Sequence, residues 1–104
     1  MLEDLNHSVL SEQLHSKFKL HFDSADPVEV ELIEVGKLTD TTRQEMFSII
    51  FSVPDGIRPT QGSYRMEHDT LGTFILFLVP VQNDDSIVFE AVFNRLKKKK
   101  PASS

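Results

Sequence analysis

The chain has 104 residues, 39% of them hydrophobic with eight Phe and no Trp, enough for one modest core and too few for a second. It has no cysteine, which excludes disulfide staples, thiolate nucleophiles and cysteine-based zinc sites. The formal charge is −5, yet four of the eleven basic residues are Lys97 to Lys100; without them the body stands at −9, a balance that repels phosphate backbones and argues against nucleic-acid binding by the folded part.

The start, Met1-Leu2-Glu3-Asp4, carries acid where a signal peptide carries Lys or Arg, and no apolar segment of signal length follows. Synthesis in the cytoplasm without a signal peptide is therefore expected, with a place in an assembled or exported particle left open. Ser8 is positioned to cap a helix of about two turns in which Val9, Leu10 and Leu14 share a face. Phe18, Leu20 and Phe22 then alternate with Lys17, Lys19 and His21, the period of a strand with one buried and one wet face. Turn formers gather from Asp23 to Pro27, and Pro27 cannot donate to a ladder.

In the next stretch Val28, Val30 and Leu32 alternate with Glu29 and Glu31, but Ile33 and Val35 fall on the opposite phase. A one-residue slip of that kind predicts a β-bulge or a strand covered on both faces. Gly36, Thr39 and Asp40 loosen the chain before a third strand over Arg43 to Ser52, where Phe47, Ile49 and Phe51 form the inner set. Two Pro and two Gly between Val53 and Gly62 predict a structured loop. Tyr64, Met66 and His68 then share one face of a fourth strand, and Asp69-Thr70-Leu71-Gly72 make the next turn.

Thr73 to Val81 is nearly continuously apolar, which predicts a central strand covered on both faces or lining a subunit contact, with plain core the simpler reading. It is far shorter than the ~20 residues a membrane helix requires, so no membrane span is expected. A tight acidic turn, Gln82 to Asp85, leads into a last strand in which Ile87, Phe89, Ala91 and Phe93 alternate with Val88, Glu90, Val92 and Asn94. Six short strands joined by turn chemistry predict an all-β, mainly antiparallel fold, a six-stranded sandwich or small barrel with a short N-terminal helix. Residues 1–96 form the single domain and 97–104 a basic tail. Edge pairing between copies is expected near the first or last strand.

Chemistry-bearing patterns are sparse. His21 and Asp23 alternate on one strand, and Glu67, His68 and Asp69 are contiguous, but neither spacing matches a metal motif. His68 continues the face of Tyr64 and Met66, and is expected to be a hydrogen-bonded residue at a strand end. No nucleophile elbow, phosphate-cradling Gly loop or buried carboxylate pair is visible, since Glu29, Glu31 and Glu34 occupy wet strand positions and Asp84 and Asp85 a turn. A non-enzymatic protein without cofactor or metal is the expectation.

Gln61 to His68, Leu71-Gly72, Leu76 to Val81 and Phe89 to Asn94, with Leu2-Glu3-Asp4-Leu5 at the start, resemble a family of small uncharacterised bacterial β domains of unknown function. The resemblance spans most of the chain and carries over no active site. It implies an association with phage-tail-like or tail-fibre proteins, hence a structural role.

The expected function is therefore a structural or assembly module, a subunit or accessory of a tail-like or filamentous assembly, partnered by its own copies or another protein. The alternative is a small-molecule or glycan-binding barrel. The candidate interface or pocket residues are Tyr64, Met66, His68, Phe74 and Phe77, with Lys97, Lys98, Lys99 and Lys100 as a basic tail that solubilises or pairs with an acidic neighbour.

Overall fold

A computed structural model describes residues 5–22 and 26–96, with Arg95 and Leu96 described by their backbone alone. The elements in chain order are α1 (His7–Glu12), β1 (Lys17–His21), β2 (Val28–Val35), β3 (Thr39–Asp40), β4 (Gln44–Phe51), β5 (Gly62–His68), β6 (Gly72–Asn83) and β7 (Ser86–Leu96). The strands lie in the order β2-β1-β5-β6-β7-β4-β3, all pairs antiparallel, and β2 also pairs with β4. Six strands thereby close a barrel. Thr39 and Asp40, which sequence reading leaves as loosened chain, instead form a two-residue strand opposite Met46 and Glu45.

Closure depends on two strands that change partners midway. The first half of β2 pairs with β1, through Val28↔Leu20 to Glu31↔Lys17, and its second half with β4, through Leu32↔Phe51 to Val35↔Ile49. The register shifts between Leu32 and Glu34, so Ile33 is the extra residue and the expected phase slip is a bulge that turns the corner. β6 behaves likewise: Gly72 to Leu78 pair with β5, and Val79 to Asn83 with β7. β1 is paired with β2 over Lys17 to Leu20 and with β5 over Lys19 to His21, so at most two of its residues are left open on one side, too few to add a strand of a second copy.

The interior is filled by alternate residues of every barrel strand. Leu20, Leu32, Ile49, Phe51, Met66, Leu78 and Phe89 have no accessible surface, and Phe18 and Val30 almost none. Phe18 sits at the centre of an aromatic cluster, its ring 5.0 Å from Phe51, 4.4 Å from His68 and 6.1 Å from Phe74. The edge-to-face pairs with Phe51 and Phe74 add stabilisation beyond area burial.

α1 closes one end. Its N-cap is Asn6, whose Oδ1 accepts the Val9 N–H at 2.8 Å, and not Ser8. Asn serves because its short side chain reaches the amide three residues on. Leu10 is the buried helix residue; Leu14 lies past the helix end and is exposed, so the expected three-residue face reduces to one. His7 Nε2–H donates to the Gly36 carbonyl at 2.8 Å, and its ring meets Phe47 edge-on at 5.1 Å.

Candidate functional site

The candidate residues separate. Tyr64, Met66, His68 and Phe74 point into the barrel, whereas Phe77 points out and is 53% exposed. The structure thus brings four of the five together, but as core. Tyr64 Oη donates to the Thr60 carbonyl and its ring lies 5.3 Å from Phe22 and 5.5 Å from Phe89. Met66 is wholly enclosed. Lys97 to Lys100 lie outside the described residues, as does Asp23, the suggested companion of His21.

His68 is the strand-end residue its position predicts. Its Nδ1 accepts two backbone N–H groups, from Thr70 at 3.0 Å and Leu71 at 3.1 Å, and so cannot itself carry the proton. Nε2–H then donates to Ser16 Oγ at 3.0 Å, and the Ser16 hydroxyl donates to the Gln13 carbonyl at 2.6 Å. A serine beside a histidine invites comparison with nucleophile activation, but that chemistry needs an unprotonated nitrogen facing the hydroxyl. Here both ring nitrogens are committed to holding the β5–β6 turn and the segment before β1. Burial pushes the imidazole below its ordinary value, against the opposing pull of Asp69.

The acids are tied in similar ways. Glu31 accepts from Lys17 Nζ and His15 Nδ1, each at 3.1 Å, and these partners, Lys17 foremost, hold its carboxyl below the usual range. That shift is opposite to the one a general acid needs. Glu67 Oε1 lies 3.2 Å from His21 Nε2, but that buried nitrogen has no hydrogen-bond partner among the described residues. Among the described residues no three metal-ligating side chains cluster.

A groove lies elsewhere, at the β6 corner. The β6–β7 ladder runs from Asn83↔Ser86 to Val79↔Glu90 and stops, although β6 extends back to Gly72 and β7 onward to Leu96. Below that point the strands part, and a groove of about 840 Å³ opens between them. Its outer lips are Ile75, Phe77 and Val79 on one side and Glu90, Val92 and Asn94 on the other. Leu76, Ala91 and Phe93 lie deeper, and Leu5 to Ser8, Leu38, Glu45 and Phe47 complete the lining. Phe47 and Phe93 stack there as cross-strand neighbours, centroids 4.8 Å apart and planes 2° from parallel.

Three large apolar side chains flank this groove in solvent: Ile75, Phe77 and Val92 are 57%, 53% and 62% exposed. The stretch from Phe74 to Val81 is therefore not covered on both faces. Phe74, Leu76 and Leu78 face inward, and Ile75 and Phe77 outward. Sequence reading singled out Phe77 and offered the run Thr73 to Val81 as core or a subunit contact, but assigned no contact role to Glu90, Val92 or Asn94. The signal for the others is that an unbroken apolar strand holds two interleaved sets, and a one-layer barrel wall has an inside for only one of them.

Among the described residues no helix is long and apolar enough to cross a membrane. A family model described as a domain of unknown function (DUF6916) matches residues 5–93. No curated protein and no solved structure matches the chain.

Proposed function

For a chain that belongs to that family, whose description assigns no activity and names no tail-like particle, we propose a non-enzymatic protein-contact module in a multi-component assembly, its contact surface the groove and lips at the β6–β7 corner. One observation carries this reading: Ile75, Phe77 and Val92 stand more than half exposed around a groove while the barrel interior is filled. Isolated exposed apolar residues are ordinary, but a contiguous set beside a concavity marks interaction sites. The acidic body and the Lys97 to Lys100 run add charge suited to orienting such a contact.

Multi-angle light scattering across a concentration series, paired with affinity capture, tests the proposal. Self-association or a stoichiometric partner is expected, and Phe77→Glu is expected to remove it. A strictly monomeric protein that captures nothing, or association unaffected by Phe77→Glu, overturns it.

A second reading rests on the groove's volume, which falls within the range of about 300–1,000 Å³ typical of small-molecule sites. Native mass spectrometry of the purified protein separates the two. A co-purifying small molecule lost on Phe77→Glu favours the ligand; an empty protein that still associates favours the contact module.

A further inference from the structure

We propose that the groove between β6 and β7 is a strand-addition site, which takes an extended segment of a partner protein whose apolar side chains alternate with Lys or Arg. The inference rests on the contact reading above and specifies the partner's chemistry.

The shape of the walls comes first. Residues of one paired sheet face present side chains of a single parity, because neighbours along a strand point to opposite sides. This groove is instead bounded by the consecutive runs Ile75, Leu76, Phe77 and Glu90 to Asn94. Walls of both parities are strand edges. Each strand spends its other edge within the barrel, β6 on β5 from Gly72 to Leu78 and β7 on β4 from Phe89 to Leu96. Alternate N–H and C=O groups of an antiparallel strand point away from its partner, so both walls direct backbone donors and acceptors toward the space between them. A peptide in extended form supplies the complementary row.

The side chains fit the same occupant. An extended segment projects alternate residues to opposite sides: its apolar side chains meet Leu76, Ala91 and Phe93 at depth, and its Lys or Arg stems lie along Ile75, Phe77 and Val92 at the lips beside Glu90. A compact ligand held at depth would leave those lips in water, whereas a strand covers both levels.

Charge selects the sign of the polar positions. Among the described residues Glu45 and Glu90 are the charged groups of the lining, and the chain outside Lys97 to Lys100 carries a net charge of −9. Basic side chains on the incoming strand meet favourable potential, and acidic ones meet repulsion.

The test titrates the full chain with fluorescent acetyl-Lys-Val-Lys-Ile-Lys-Val-amide, followed by anisotropy and by amide chemical shifts. Saturable binding is expected, with shifts confined to residues 75–79 and 90–94. A copy of the peptide methylated on alternate backbone nitrogens, and a copy with every Lys replaced by Glu, are each expected to bind about tenfold more weakly or worse. Phe77→Ser, an exposed position that leaves the core intact, is expected to weaken binding by a similar factor, and Glu90→Gln to narrow the gap between the Lys and Glu peptides. Shifts outside the groove, or equal binding of the methylated and unmethylated peptides, overturn the proposal. Binding that emerges only after removal of residues 97–104 overturns it too, by making this chain's own tail the occupant. If no peptide binds while Phe77→Glu still abolishes association in light scattering, strand addition falls and the contact reading stands.

Discussion

His68 and Ser16 are joined across 52 positions of sequence by a 3.0 Å hydrogen bond from the imidazole Nε2–H to the serine Oγ. The other ring nitrogen accepts the Thr70 and Leu71 amides, so one neutral ring pins the tip of the β5–β6 hairpin to the chain entering β1. Protonation of Nδ1 would expel both amides from their acceptor.

Stability is therefore expected to depend on the charge of this ring. Its native pKa is lowered from an ordinary value of 6.5, chiefly by burial, so the unfolded chain takes up the proton at higher pH than the native one. The sign follows: the contribution of the neutral ring is whole above about pH 6.5 and is lost as pH falls through that value toward the native pKa. Urea midpoints from about pH 8 down to about pH 5 should decline, and His68→Gln should flatten that decline. The same variant should lose about 1–3 kcal/mol near neutrality, the cost of leaving buried amides poorly paired. Parallel pH profiles for the two proteins would refute the assignment.

Phe18 is the most connected ring of the core, 1% exposed and in contact with Phe51, His68 and Phe74. Phe18→Ala should cost about 3–5 kcal/mol, the range for deleting a buried aromatic that leaves a cavity. Chemical denaturation measures it, and a loss below about 1 kcal/mol would mean the barrel collapses around the gap.

Gly36 sits where two strands come close. Its N–H donates to the Ser48 carbonyl at 2.7 Å, and a Cβ added there would lie 3.0 Å from that same oxygen. Because the opposing atom is backbone, it cannot swing aside. Gly36→Ala should destabilise by about 1–3 kcal/mol, as overpacking does, and a thermal melt reads the loss directly.

Phe77 behaves in the opposite way. More than half of its surface is in water, so Phe77→Ser should leave folding stability within about 0.5 kcal/mol of the parent. Its effect should show in association alone. A variant that unfolds the protein would place Phe77 in the core and remove the basis for the contact surface.

Much of the barrel is legible from period alone. Phe18 and Leu20, or Phe47, Ile49 and Phe51, alternate with polar or smaller residues, and each of these sets is buried. The slip at Ile33 announces the bulge. Closure is not legible, since it depends on β2 and β6 each changing partner midway, and partner choice belongs to long-range geometry that local patterns do not encode. The two-residue strand at Thr39–Asp40 carries no periodicity to read. The groove is hidden for a different reason. It arises where two paired strands diverge after Val79↔Glu90, while the residues along both continue to read as good strand formers.

The parting of β6 from β7 underlies every functional statement above, and native-state amide hydrogen exchange on the free protein measures it most directly. Alternate amides through Ile75–Leu78 and Ala91–Asn94, those aimed into the groove, should exchange orders of magnitude faster than the neighbours bonded to β5 and β4. Uniform protection along both stretches would mean the two strands are already paired, leaving no groove for a partner to enter.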